Sequence, residues 1–252
     1  MTGRLTIVGL GPGPEEWVTP AARAAVQSAD VIVGYVTYTS RLTPRDGQRV
    51  EATDNREEIA RAARALELAA NGESVAVVSG GDPGVFAMAA AVFEALEKGP
   101  DPWRHIDICV EPGVTAMLAA AARTGAPLGH DFCAISLSNN LKPWPLIVDR
   151  LTNAAKGDFV IALYNPASKA RPGLLTEALK ILRQHCAPQT IVVFASAVGR
   201  TDEKIETTTL EQAHLVAADM RTLVIVGSRS TRSIAKPDGT QWLYTPRYGD
   251  EM

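Results

Sequence analysis

The feature that most constrains the fold lies near residue 80, where an apolar run ends in two adjacent glycines. The run Ser74–Val78 predicts a strand, and it leads through Ser79-Gly80-Gly81-Asp82-Pro83 into a helical pattern over 87–96. Adjacent glycines let a ligand lie against bare backbone. Asp82 is expected to cap a helix whose first residue is Pro83. A strand, a glycine turn and a helix start in this order predict a binding site in an α/β fold.

Predicted strands and helices alternate along the 252-residue chain. In the first half this alternation predicts a parallel sheet covered by helices on both faces, and the second half reads as a second α/β unit with its own core. The strands are predicted at Leu5–Val8, Val31–Val33, Ser74–Val78, Ile106–Val110, Phe132–Leu137, Phe159–Tyr164, Thr190–Ala195, Lys204–Thr208 and Thr222–Val226. We expect a boundary between Pro112 and Pro127, giving an N-terminal α/β domain over 1–115 and a C-terminal α/β domain over 116–252.

Composition excludes several classes of protein. No apolar run approaches the roughly 20 residues that a membrane-spanning helix needs, and the first strand begins too early for a signal sequence, so we expect a cytoplasmic protein without membrane contact. The three cysteines are too widely spaced for a disulfide framework or a CxxC metal site. The first half is acidic on balance and the second half basic. This distribution suits a polyanionic small molecule better than a nucleic acid.

The glycines after the first strand do not form a dinucleotide fingerprint. Gly9-Leu10-Gly11-Pro12-Gly13 lacks the required third glycine, and Pro12 has no N–H to offer a pyrophosphate. Asp30 precedes the second strand, at the wrong end for a ribose bound at the carboxyl edge. No G-x-x-x-x-G-K-[ST] occurs, which disfavours P-loop nucleotide chemistry. The expected ligand is therefore one that meets backbone donors and acceptors rather than a triphosphate cradle.

Several predicted strands end in turns rich in glycine and proline, and their carboxyl ends can meet along one edge. Four of these segments, in this order, resemble motifs of the tetrapyrrole methylase family, and the resemblance spans residues 4 to about 227. The motifs are Gly9-Leu10-Gly11-Pro12-Gly13, Gly80-Gly81-Asp82-Pro83, Pro112-Gly113-Val114-Thr115-Ala116 and Tyr164-Asn165. The resemblance implies a two-domain α/β methyltransferase, commonly a homodimer, that differs from the Rossmann-type enzymes and has a mixed or parallel sheet flanked by helices in each domain.

The resemblance further implies S-adenosyl-L-methionine as co-substrate, S-adenosyl-L-homocysteine as product, and a cofactor cleft between the two domains. No metal ligands are implied. By motif matching, the expected cofactor-binding residues are Pro12, Gly80, Gly81, Asp82, Val85, Thr115, Ala116, Asn165 and Val198. At the last of these positions the family often has a glycine in an Asn-Gly-Thr turn, whereas this chain reads Ala197-Val198-Gly199.

The implied reaction is C-methylation of a polyanionic tetrapyrrole, and the stretch Tyr164-Asn165-Pro166-Ala167-Ser168 is most like members that methylate a corrin precursor and contract its ring. Whether the macrocycle carries cobalt stays open, as does a non-catalytic nucleotide-binding module. The catalytic residues are not assigned. Asp82 is a candidate base as well as a cap, and four loop cations are candidate partners of substrate carboxylates. These cations are Lys142, Lys169, Arg171 and Arg200.

Overall fold

A computed structural model describes residues 3–54, 57–168 and 171–248. The chain divides into two compact units, Met1–Thr115 and Ala116–Met252, and each is described by itself. No helix in the described ranges is long and apolar enough to cross a membrane.

The first unit is built on a five-stranded sheet in the order β3-β2-β4-β1-β5. The strands are β1 (Arg4–Gly9), β2 (Val31–Tyr35), β3 (Arg49–Thr53), β4 (Ser74–Ser79) and β5 (Asp107–Glu111). All four strand pairings in this sheet are parallel, so all five carboxyl ends lie along one edge. That edge collects the turns that follow β1, β4 and β5.

Helices cover both faces of this parallel sheet. The helices are α1 (Pro20–Ser28), α2 (Val36–Thr39), α3 (Glu58–Ala70) and α4 (Met88–Lys98). Leu5 and Ile7 of β1 pack with α3 and α4 in one buried cluster, whereas Val8 packs with α1 in another. Successive strand residues point to opposite faces, so the apolar run of β1 supplies both cores. Thr19 caps the start of α1, because its hydroxyl accepts a hydrogen bond from the Ala22 amide and Pro20 occupies the first turn.

The second unit has a mixed five-stranded sheet in the order β10-β9-β11-β8-β7 and a smaller sheet in the order β12-β13-β6. Its helices are α5 (Ala116–Thr124), α6 (Trp144–Lys156) and α7 (Leu174–Leu182). Its strands are β6 (Gly125–Ala126), β7 (Phe132–Ser136), β8 (Val160–Tyr164), β9 (Ile191–Ser196), β10 (Lys204–Thr209), β11 (Thr222–Val226), β12 (Arg232–Ala235) and β13 (Gln241–Tyr244). β7 runs parallel to β8, and β11 runs antiparallel to both β8 and β9. The carboxyl ends of β7, β8 and β9 therefore share one edge.

The predicted fold class is confirmed: each unit is a sheet flanked by helices, parallel in the first and mixed in the second. The predicted start of α4 is wrong. This helix begins at Met88 after an extended Ala87, five residues beyond Pro83, and Asp82 does not cap it. Strands β3, β6, β12 and β13 were not predicted, because they are short or largely exposed and lack a buried apolar run.

Candidate functional site

Three glycines meet backbone to backbone at the carboxyl edge of the first unit. Gly9 ends β1, and a Cβ on it would lie 2.7 Å from the Gly113 nitrogen and 2.8 Å from the Gly81 carbonyl oxygen. A Cβ on Gly113 would overlap that same oxygen. The Gly11 amide donates to the Gly81 carbonyl at 3.1 Å, so the turns after β1 and β4 are bonded directly. This edge consists of main chain at its centre, which is what a ligand recognised by backbone groups requires.

Asp82 joins the turn after β4 to the turn after β5. Its Oδ1 accepts a hydrogen bond from the Gly84 amide at 2.8 Å, and its Oδ2 accepts one from the Gly113 amide at 3.1 Å. The first bond is an Asx turn, which explains why a helix cap at this position was a wrong prediction. Because both carboxylate oxygens already accept backbone N–H groups, Asp82 is suited to fixing the edge and poorly placed to abstract a proton.

Gly80 and Val85 flank Asp82 in the same turn. The ring of Tyr38 fills the space where a Gly80 Cβ would lie, so only glycine fits there without displacing the ring. The Val85 amide donates to the Asp82 carbonyl at 3.3 Å. The next residue, Phe86, has φ of 53°, in the left-handed region, and its side chain is exposed. A bulky residue held in this region costs energy, and such positions cluster at ligand sites.

Pro12 lies in the turn after β1, next to Gly11, whose φ of 66° requires glycine. Arg41 donates to three carbonyl groups of this turn. Thr115, buried, is the last residue of the first unit. The turns after β1 and β4 thus gather Pro12, Gly80, Gly81, Asp82 and Val85 in the first unit.

In the second unit, Asn165 follows β8 in the left-handed region with φ of 54°. Its Nδ2 donates to the Ser136 hydroxyl at 2.9 Å, which ties the ends of β7 and β8 together. The Tyr164 hydroxyl accepts a hydrogen bond from the Met117 amide at 3.1 Å, and this bond anchors the start of α5 beside the end of β8. Ala116, the first residue of α5, immediately precedes this anchored amide.

Val198 follows β9, after Ala197 with φ of 49° and before Gly199 with φ of 77°. It is 4% exposed. It lies at the same sheet edge as Asn165, but β11 separates the two strands, so the pair is about 10 Å apart by strand spacing. Of the nine expected cofactor residues, Val198 is the most buried.

The loop cations are distributed unevenly around the ends of β7 and β8. The Arg171 Nη1 donates to the Asn139 Oδ1 at 2.8 Å and to the Ser138 hydroxyl at 3.3 Å, which are both neutral acceptors. Burial lowers the pKa of Lys142, and the nearby charge of Arg150 lowers it further. Lys169 lies outside the described residues. Within the described residues, no cluster of three or more His, Cys, Asp or Glu side chains is placed to hold a metal ion.

Sequence reasoning missed Arg41 and Tyr38, which brace the turns of the first unit from about 30 to 40 residues away along the chain. Neither belongs to a motif. The only available signal was the position of their segment at the carboxyl end of the predicted strand Val31–Val33, the same edge as the glycine turns.

Comparison with known proteins identifies relatives over almost the whole chain. The family model for Tetrapyrrole (Corrin/Porphyrin) Methylases matches residues 4–214. A "Precorrin-3B C(17)-methyltransferase" of Sinorhizobium sp is 54% identical over 248 residues, which is 98% of each chain. A "Probable cobalt-factor III C(17)-methyltransferase" of Salmonella typhimurium is 41% identical and covers 90% of this chain and 93% of its own.

Solved structures give a consistent result. A crystal structure of the methyltransferase CobJ superposes with a TM-score of 0.92 at 52% identity, over 97% of this chain and all of the other. A uroporphyrin-III C-methyltransferase from Thermus thermophilus, complexed with S-adenosylhomocysteine, has a TM-score of 0.69 at 23% identity, over 89% of this chain and 92% of its own. This second likeness shows a shared fold.

Proposed function

The chain belongs to the tetrapyrrole (corrin/porphyrin) methylase family, and from this premise we propose that it methylates precorrin-3B at C-17, with ring contraction to precorrin-4. The observation that carries the substrate assignment is the 54% identity to the Sinorhizobium protein over 98% of both chains. The co-substrate is S-adenosylmethionine, and the second product is S-adenosylhomocysteine.

The chemistry of the first unit's edge supports this co-substrate. Gly9, Gly81 and Gly113 pack the turns after β1, β4 and β5 against one another, so the centre of that edge is formed by main chain. An adenosine with a short amino-acid tail can be recognised by such donors and acceptors, because it carries no phosphate that would need a cationic cradle. In the second unit, Ala116 and Asn165 offer a helix start and an amide at the corresponding edge. The proposed cofactor contacts are Pro12, Gly80, Gly81, Asp82, Val85, Thr115, Ala116, Asn165 and Val198.

S-adenosylmethionine supplies an electrophilic methyl group on a sulfonium whose leaving group is neutral. The protein therefore contributes chiefly alignment to the methyl transfer, and a rigid backbone edge provides it. Asp82 holds the turns after β4 and β5 in register through its two amide bonds. Ring contraction needs proton transfer and oxyanion stabilisation, for which we assign no residue.

The polycarboxylate substrate is proposed to meet the loop cations of the second unit. Arg171 is bonded to neutral oxygens of Ser138 and Asn139, which leaves its charge available for a carboxylate. Partial burial of Lys142 near the like charge of Arg150 depresses its pKa, and an anion bound there would relieve both effects.

Mass spectrometry of the reaction product tests the proposal. We expect precorrin-3B incubated with S-adenosylmethionine carrying a deuterated methyl group to gain one labelled methyl. A parallel incubation with cobalt-factor III tests the alternative substrate, which is the one in the name of the 41% identical Salmonella relative. If the cobalt-containing macrocycle is methylated and precorrin-3B is not, the substrate assignment is overturned. Saturable cofactor binding without label in either macrocycle would overturn the enzyme assignment in favour of a nucleotide-binding module.

We further propose that the protein is a cytoplasmic homodimer. Light scattering during size-exclusion chromatography measures the mass directly. A mass of twice 26.8 kDa is expected, and a mass of 26.8 kDa would contradict the dimer.

A further inference from the structure

The guanidinium of Arg41 binds three carbonyl groups of a single turn. Its Nη1 donates to the Gly11 carbonyl at 3.0 Å, and its Nη2 donates to those of Leu10 at 2.9 Å and Gly13 at 2.8 Å. The acceptors lie 28 to 31 residues before Arg41 in the chain, so the contact is tertiary. Pro12, an expected cofactor contact, sits between two of the residues whose carbonyls are held.

Three carbonyl oxygens that converge on one point repel each other unless donors hold them there. Arginine meets this need because its planar fork presents several N–H groups with fixed directions, and each bond to a charged donor is stronger than a neutral one. A lysine ammonium lacks the fork and does not reproduce this geometry. The conformation of the Gly9–Gly13 turn thus depends on the Arg41 side chain.

The clamped turn is coupled to the second glycine turn. The Gly11 amide donates to the Gly81 carbonyl at 3.1 Å, and the Leu10 amide donates to the Ser79 carbonyl at 2.9 Å. A shift of the first turn would therefore distort these two hydrogen bonds, which join it to the end of β4 and the turn after it. Arg41 controls this junction although its own position along the chain is remote from both turns.

The segment that carries Arg41 also braces the second turn through an aromatic ring. Tyr38 of α2 packs against Gly80, and its ring meets that of Tyr35 edge to face, with centroids 5.5 Å apart and planes at 88°. Edge-to-face pairs restrict the orientation of both rings. The segment 35–41 thus holds one turn by a ring and the other by a guanidinium.

We propose that Arg41 is a positioning residue for S-adenosylmethionine, acting through the backbone of the Gly9–Gly13 turn. This rests on the proposed function, because it takes the glycine edge as the cofactor site. Arg41 fixes the turn in the shape that the cofactor meets. Loss of the Arg41 side chain weakens cofactor binding and leaves binding of the macrocycle unchanged.

Arg45, four residues after Arg41, provides a matched control. Its Nε donates to the Gln27 carbonyl at 2.9 Å, and its Nη2 donates to the Ala29 carbonyl at 3.0 Å. These acceptors precede β2, at the opposite end of the sheet from the glycine turns. Arg45 therefore makes the same kind of bond and stabilises the unit, but it does not hold the candidate site.

Isothermal titration with S-adenosylhomocysteine, paired with thermal unfolding, tests the proposal on Arg41→Lys, Arg41→Ala and Arg45→Lys. We expect Arg41→Lys to weaken binding by about tenfold or more, since it removes at least one charge-assisted bond. In turnover assays of Arg41→Lys, we expect the KM for S-adenosylmethionine to rise. The KM for the tetrapyrrole should stay within about twofold of the wild-type value. A loss of stability alone would not produce this difference between the two KM values. Free guanidinium is expected to restore part of the binding lost in Arg41→Ala.

Arg45→Lys is expected to lower the melting temperature while leaving the affinity within about twofold of wild type. The inference would be overturned if Arg41→Lys bound S-adenosylhomocysteine with wild-type affinity. It would also be overturned if Arg41→Lys and Arg45→Lys lost similar amounts of stability and bound S-adenosylhomocysteine equally weakly. Should Arg41→Ala fail to fold, Arg41→Lys decides, because it keeps the charge and the aliphatic stem. A wild-type protein that does not bind S-adenosylhomocysteine would overturn the proposed function itself.

Discussion

The two units present sheet edges built by different means. In the first unit, the turns after β1, β4 and β5 meet through glycine backbone, with Gly9 and Gly113 too close to Gly81 for any Cβ. In the second unit, the turns after β7 and β8 are joined by side chains, notably Asn165 with Ser136. The first edge does not tolerate atoms added at its glycines, whereas the second is joined chiefly by side-chain hydrogen bonds. Under the proposed function, the first edge contacts the co-substrate, and the second contacts both the co-substrate and, through its loop cations, the tetrapyrrole.

Replacing Gly113 by alanine is expected to have the largest effect. The added Cβ would overlap the Gly81 carbonyl oxygen, and overpacking of this kind costs about 1–3 kcal/mol. We expect urea unfolding to show a loss near the top of that range and titration to show strongly reduced affinity for S-adenosylhomocysteine.

The matched control is Gly173→Ala in the second unit, where the new Cβ meets no heavy atom of the described chain within 4 Å apart from those of its own chain neighbours. Its stability should change by about 0.5 kcal/mol or less. If Gly113→Ala binds S-adenosylhomocysteine as wild type does, the glycine edge of the first unit is not the cofactor site.

Asp82→Ala is expected to rank second, because it removes both acceptors for the Gly84 and Gly113 amides. Hydrogen bonds to charged groups are worth about 1.5–3 kcal/mol each, but water replaces most of this at a half-buried site, so we expect a total loss of about 1.5–2 kcal/mol, smaller than that of Gly113→Ala. Asp82→Asn keeps one oxygen and should recover part of the stability and the affinity.

Kinetics distinguish the structural role of Asp82 from a role as base. If Asp82→Asn abolishes kcat while cofactor affinity and stability stay near wild type, Asp82 is a base and the structural role is wrong. Asp101→Asn, an exposed carboxylate paired with Arg104, controls for loss of charge.

In the second unit, Asn165→Gly and Asn165→Ala separate conformation from hydrogen bonding. Both lose the bond to the Ser136 hydroxyl, but only alanine is strained at φ of 54°, by about 1 kcal/mol. We therefore expect glycine to be the more stable of the two variants by that amount in urea unfolding. Equal stability would indicate that the side-chain bond alone fixes this turn.

The smallest expected effect concerns thiol ionisation in the second unit. Burial raises the pKa of Cys133 and of Cys186, so the folded state keeps both thiols protonated where the unfolded chain ionises. The resulting stability is fully present below about pH 8.5, the ordinary thiol pKa, and is lost as pH rises through the folded values.

Urea unfolding of the wild type and of a Cys133→Ser, Cys186→Ser variant at pH 7 and pH 9.5 measures this effect. The wild type should lose more stability between the two pH values than the variant. An identical loss in both proteins would show that these thiols do not ionise differentially.

The sequence predicts the strands well where β-branched and apolar residues form buried runs, as in β1, β4 and β11. It fails for β3, because Arg49 and Val50 are both exposed at the edge of the sheet and no burial pattern marks the strand. The Asp82-Pro83 pair follows a local rule for helix starts, but the carboxylate forms an Asx turn with Gly84 and a tertiary bond to Gly113 instead.

The candidate site could be predicted only where turn residues stand in order along the chain. Glycine and proline favour particular turn conformations by themselves, so their positions in the sequence predict where the turns lie. The Arg41 clamp involves acceptors about 30 residues distant, and no periodicity or spacing connects donor and acceptor. The Tyr164 bond to the Met117 amide is of the same kind, since it joins groups 47 residues apart.

Hydrogen exchange of the backbone amides, with and without S-adenosylhomocysteine, tests most directly whether the glycine edge carries the co-substrate. We expect the ligand to slow exchange in peptides spanning 9–13 and 79–85 of the first unit and 163–166 of the second, and to leave the β12–β13 hairpin unchanged. Saturable binding that leaves exchange in 9–13 and 79–85 unaltered would contradict the assignment.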